Sequence, residues 1–80
     1  MRTEYPDGSV EVIPKNERML RIGMNEYRIE RYYLNHHYER GYGYCTWYAW
    51  VVTTYGAFCI YEGRNYDYVL KKMNEFIEAA

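Results

Sequence analysis

Residues 42–61 read YGYCTWYAWVVTTYGAFCIY and hold both tryptophans, both cysteines and five of the twelve tyrosines, without a single charged side chain. An uncharged run of this length could span a bilayer as a helix. Its tyrosines, its threonines and Gly43 and Gly56 argue otherwise, because Leu, Ile, Val and Phe dominate a lipid-facing helix. β-branched and aromatic residues broken by Tyr55-Gly56 predict two antiparallel strands, Tyr44–Thr53 and Ala57–Glu62, joined by a tight turn.

Two turn geometries fit the hairpin. A two-residue Tyr55-Gly56 loop sets Thr54 across from Ala57. A three-residue Thr54-Tyr55-Gly56 loop with Gly56 in the left-handed region sets Thr53 there, and it suits Gly56 better. That register puts Cys45, Trp47, Ala49, Val51, Cys59 and Tyr61 on one face and Tyr44, Thr46, Tyr48, Trp50, Val52, Phe58 and Ile60 on the other. Neither face turns polar, the pattern of a strand covered on both sides.

Outward from this hairpin, Asn65 reads as the N-cap of a helix over residues 65–79. Its apolar stripe is Tyr66, Val69, Leu70, Met73, Phe76, Ile77 and Ala80 at three- and four-residue spacing. On the other side, Glu26–Arg40 fits a half-apolar helical stripe framed by Asn25 and Gly41. It fits better a strand whose period-two phase shifts to Tyr32, Leu34, His36 and Tyr38 after a bulge near Arg31. Before it, Met1–Tyr5 reads as loose and Pro6-Asp7-Gly8 as a turn. Ser9–Ile13 and Met19–Ile22 read as the two strands of an N-terminal hairpin (residues 9–22), the first ended by Pro14.

The expected architecture is therefore α+β: one small domain over residues 1–80, with an antiparallel sheet of four or five strands (central strands within 27–62) and a C-terminal amphipathic helix packed on one face. A fifteen-residue helix is about 22 Å long and about 10 Å wide, enough to shield two or three strands. The side lined by Ala49, Val51 and Cys59 admits it closely, with Trp47 at its edge. The aromatic side is left to a partner, a second copy, or the N-terminal hairpin folded over it.

Eighty residues with a net charge of −1 exert no long-range pull on nucleic acid or an anionic membrane. The aromatic content, 20%, comes mainly from tyrosine, a residue enriched where a surface is dry in a complex and wet outside it. MRTEYPDGSVEVIP at the start shows no apolar h-region, so no signal peptide is expected and the expected compartment is the cytoplasm. In either register Cys45 and Cys59 stand about 20 Å apart, beyond disulfide reach, and read as two small buried residues.

The chemistry-bearing residues give little. Ser9, the only serine, lacks a nearby His or Asp pattern, so no serine nucleophile is expected. If Tyr27–Tyr38 pairs with Tyr44–Thr54 through the Glu39–Gly43 loop, His37 is expected roughly opposite Cys45, but a buried thiol beside a solvated histidine is the commoner meaning. His36 and His37 point to opposite faces of a strand, and two Cys with two His lack the close pairs of a zinc site. Glu26 and Glu30, flanked by Arg28 and Arg31, read as solvated ion pairs, and there is no glycine-rich phosphate loop. No catalytic residue, metal or cofactor is expected.

What remains is the interleaving of Arg18, Arg21, Arg28, Arg31 and Arg40 with Tyr27, Tyr32, Tyr33, Tyr38, Tyr42 and Tyr44. Such a sheet surface could stack single-stranded nucleic acid, yet Glu17, Glu26, Glu30 and Glu39 nearly cancel its charge. Arg, Tyr and Trp equally dominate protein hot spots. The expected role is a non-catalytic protein-binding module, with Tyr48, Trp50, Tyr32, Tyr33, Arg28, Arg31, Tyr44 and Phe58 meeting a larger protein partner. In size, compactness and lack of active-site chemistry the chain resembles small phage-encoded inhibitors of bacterial defence, anti-CRISPR proteins among them. That resemblance implies a protein that occludes a host effector, itself a nucleic-acid-processing complex. Strands followed by one helix also resemble the arm-binding domains of tyrosine integrases, which implies a nucleic-acid-binding sheet. A homodimer sealed through the aromatic face is the third expectation.

Overall fold

The computed structural model describes residues 1–41 and 43–79, Glu39 by its backbone alone. Tyr42 and Ala80, assigned above to the aromatic surface and the helix stripe, lie outside the described residues.

Six strands build one antiparallel sheet: β1 (Arg2–Glu4), β2 (Val10–Val12), β3 (Met19–Ile22), β4 (Asn25–Glu39), β5 (Tyr44–Thr53) and β6 (Ala57–Gly63), followed by α1 (Tyr66–Glu78). The order is β1-β2-β4-β5-β6, with β3 also paired to β4. The ambiguous segment is therefore a strand, fifteen residues long. Its ladder to β5 shifts between Ile29 and Arg31, so Glu30 is an extra residue next to the expected bulge. That insertion lets Ile29 and Tyr32 both face the helix.

Two N-terminal expectations need correction. β2 and β3 are not partners in a hairpin; β2 pairs with Tyr32–Leu34 and β3 with Asn25–Arg28, both on β4. The segment expected to be loose contributes β1, paired to β2 from Arg2↔Val12 to Glu4↔Val10. The physical reason is the length of β4. Its fifteen residues give an edge long enough for two short strands, of three and four residues, end to end. The N-terminal strands thus widen the sheet and do not fold over it.

α1 forms as its sequence dictates. Asn65 accepts a hydrogen bond from Tyr68 N at 3.0 Å, capping the first turn, and Asp67 adds negative charge there. Val69 and Met73 are buried against Val10, Ile29, Tyr32, Leu34, Ala49 and Val51, with Leu70, Phe76 and Ile77 packed around them. Trp47 sits at the helix edge, its ring 4.5 Å from Tyr66 in an edge-on contact. The turn at Pro6–Gly8 closes over that ring. Tyr66 Oη donates to Gly8 O at 2.8 Å, and a Cβ on Gly8 would meet Trp47 at 3.0 Å, so glycine with φ +93° is needed there.

The β5–β6 turn differs from both expected geometries. Thr53 pairs with Gly56, its N–H donating to Gly56 O at 2.8 Å, so the loop is Thr54-Tyr55 and Gly56 does not take positive φ. Val52 then faces Ala57, Val51 faces Phe58 and Trp50 faces Cys59, after which Ile60 is an extra residue before Ala49↔Tyr61. The expected faces of Phe58 and Cys59 are accordingly exchanged, while the bulge returns Tyr61 to the expected side, across from Ala49. Phe58 lies on the helix side, packed against the core, and Cys59 on the other. Nor are the two thiols buried: both are free, Cys45 half-buried and Cys59 exposed.

Candidate functional site

Among the described residues no element packs on the side of the sheet opposite α1, since β1, β2 and β3 lie in its plane and α1 contacts β4, β5 and β6 from the other side. Alternation along the strands decides what this open face carries. Across the rows run Glu11, Tyr33, Trp50 and Cys59; Arg31, Val52 and Ala57; and Asn35, Tyr48 and Glu62. Tyr33, Asn35, Tyr48, Trp50 and Val52 are half-buried by their neighbours alone.

Several polar groups of this face are held by lateral contacts. Trp50 Nε1 donates to Asn35 Oδ1 at 2.9 Å, which fixes the indole with its N–H satisfied. Arg31 forms an ion pair with Glu11 and stands 5.5 Å from the centroid of the Tyr33 ring. Arg64 lies 3.7 Å over the ring of Tyr44. The rings of Tyr48 and Trp50 are 6.1 Å apart. On the other side of Trp50 from Tyr48, toward Arg31 and Val52, a shallow groove of about 300 Å³ is lined by Arg31, Tyr33, Asn35, Trp50, Val52 and Ala57.

Of the expected site residues, Tyr33, Arg31, Tyr44, Tyr48 and Trp50 come together here. Tyr32 does not. It is 1% exposed in the core, 6.1 Å from Phe76 in an edge-on contact, because the phase it shares with Leu34 faces the helix. Among the described residues its hydroxyl has no hydrogen-bond partner, and burial raises its pKa against a smaller opposing pull from Arg18. Phe58 is also on the helix side, stacked on Tyr55 at 6.0 Å. Arg28 lies beyond the bulge, across from Met19. Sequence reading missed Asn35, Glu11 and Arg64. Asn35 and Tyr33 share a period-two phase, which is the signal that could have found the Trp50 partner.

A second polar cluster lies on the helix side. Asp7 accepts from Ser9 N at 2.9 Å and Ser9 Oγ at 3.0 Å, and its Oδ2 is 3.3 Å from His36 Nε2. Ser9 therefore does have Asp and His nearby, contrary to expectation. The order is Ser–Asp–His, however, so the imidazole is not placed to take the hydroxyl proton. The Ser9 N–H chiefly, then its hydroxyl, holds the Asp7 carboxyl below its ordinary value. Cys45 faces Tyr38 and His37 faces Thr46, on opposite sides of the sheet. What burial Cys59 has pushes its thiol up, away from thiolate. Among the described residues no three His, Cys, Asp or Glu converge as metal ligands, and no helix is long and apolar enough to cross a membrane.

Compared with known proteins, the chain matches no family model, no curated protein and no solved structure.

Proposed function

We propose that this protein is a non-catalytic binding module whose open sheet face docks onto a larger protein. The observation that carries the reading is a broad aromatic surface that no element of the described chain covers and whose Trp50 and Arg31 are held by Asn35 and Glu11. Rings fixed before binding lose little rotamer freedom on binding. The molecule measures 40 by 26 Å across and 19 Å in its thin dimension. These outer dimensions allow a face of the order of the roughly 800 Å² per partner of an ordinary protein interface.

The balance of charge favours protein over nucleic acid. Glu11 neutralises Arg31, whereas nucleic-acid affinity rests on uncompensated positive charge. By its resemblance to phage-encoded inhibitors, the module would act in the host cytoplasm by occluding a defence effector.

Affinity capture from host lysate, with wild type beside Trp50→Ala and Tyr48→Ala, tests the proposal. Each variant should keep its far-UV circular dichroism and lose at least about 2 kcal/mol of affinity for the captured partner. Undiminished capture by both variants overturns the reading. So does tight binding of labelled oligonucleotides at low salt, or a dimer by light scattering that Trp50→Ala dissolves.

A further inference from the structure

A different surface, the free edge of β6, has a chemistry that specifies its occupant. β6 ends the sheet, and among the described residues no strand lies on its outer side. Because Thr53 and Gly56 form a hydrogen-bonded pair, alternation along the ladder directs the N–H and C=O groups of Ala57 and Cys59 away from β5, and beyond the bulge those of Glu62. All three residues are exposed. β6 contains neither Lys nor Pro, and what interrupts its edge is the bulge at Ile60 and the charge of Glu62. Beside it, on the helix side, runs an apolar trough of about 320 Å³ lined by Ile60, Tyr61, Lys72, Glu75, Phe76 and Ala79. The bulge turns Ile60 into this trough.

We infer that the β6 edge binds an extended segment of another polypeptide as an added strand, placing an apolar side chain in the trough and a Lys or Arg beside Glu62. Only extended backbone matches a row of alternating outward donors and acceptors. Period two sets the side chains: a residue across from Glu62 has its side chain on the open side, and its neighbour points to the trough. Lys72 is held by Glu75 at 3.6 Å, whereas among the described residues no ion pair engages Glu62. A second copy is the less suitable occupant. An edge of seven residues is about 23 Å long, and over a 19 Å thickness it offers roughly half the area per partner that a standard interface needs.

The test is selection of a phage-displayed library of random nine-residue peptides on the intact protein, followed by fluorescence anisotropy with the enriched sequence. The expected sequence alternates, with an apolar residue next to Lys or Arg. Methylating one of its paired backbone amides, or filling the trough with Ala79→Arg, should weaken binding at least tenfold; Glu62→Lys should also weaken it, and Trp50→Ala should leave it unchanged. Ala79 is exposed at the helix end, so its substitution leaves the core intact. The inference is overturned if no sequence is enriched, or if binding ignores both the methylation and Ala79→Arg. It is equally overturned if binding is lost with Trp50→Ala, or if light scattering shows a dimer that Ala79→Arg dissociates. Because the open face is probed by Trp50 and the edge by Ala79, each reading can fail alone.

Discussion

The two sides of this sheet are drawn from the same strands and nearly the same residue types, yet they end in opposite states. On the helix side Tyr32, Leu34, Ala49 and Val51 are almost completely buried. One residue along, Tyr33, Asn35, Tyr48, Trp50 and Val52 are half-buried and uncovered. Residue type does not separate the two sets, since each contains tyrosine and valine. Position does: the pleat alternates side chains, and one helix covers one side. On the open side tight lateral bonds, Trp50 to Asn35 and Arg31 to Glu11, order the surface without burying it.

The largest expected contrast is in core volume. Leu34→Ala, at a site with no exposure, should destabilise by about 2–5 kcal/mol in urea unfolding, whereas Val52→Ala on the open side should cost less than about 1 kcal/mol. Equal losses would mean that the open side is packed as a core.

A smaller contrast has opposite signs in adjacent residues. Tyr32→Phe removes a buried hydroxyl that has no partner among the described residues, so it should raise stability by about 1 kcal/mol. Tyr33→Phe, at the neighbouring open-side position, should stay within about 0.5 kcal/mol of wild type. A destabilising Tyr32→Phe would show that its hydroxyl is hydrogen-bonded in solution.

The smallest effect concerns the turn that closes the helix side over Trp47. Asp7 has a lowered carboxyl pKa, so its contribution is complete above the unfolded value near 3.8 and drains away as pH falls through the folded one. In acid the wild-type urea midpoint should therefore fall more steeply than that of Asp7→Asn. Parallel pH profiles would remove Asp7 from the account of that turn.

The elements were more legible in the sequence than their neighbours. Asn65 and the spacing of Val69, Leu70, Met73 and Phe76 are local signals, and α1 follows them. The phase Tyr32, Leu34, His36, Tyr38 was also readable, but only pairing with Ala49 and Val51 shows that it faces the helix. The register of β6 is set by Thr53 and not, as expected, by Gly56. The Thr53 hydroxyl donates to Gly56 O at 2.9 Å and accepts from the N–H groups of Tyr55 and Gly56 at 3.1 and 3.2 Å. A side chain thus closes the loop, and no left-handed glycine is required. That one-step difference moved Phe58 into the helix-side packing and Cys59 onto the open face. β2 and β3 read correctly as strands, but alternation within a strand says nothing about which strand lies beside it.

Hydroxyl-radical footprinting of the isolated, dilute chain, read residue by residue by mass spectrometry, tests the uncovered face most directly. The account predicts fast labelling of Tyr33, Tyr48 and Trp50 beside a protected Tyr32. Protection of Tyr48 and Trp50 to the level of Tyr32, in a chain that light scattering shows to be monomeric, would contradict it.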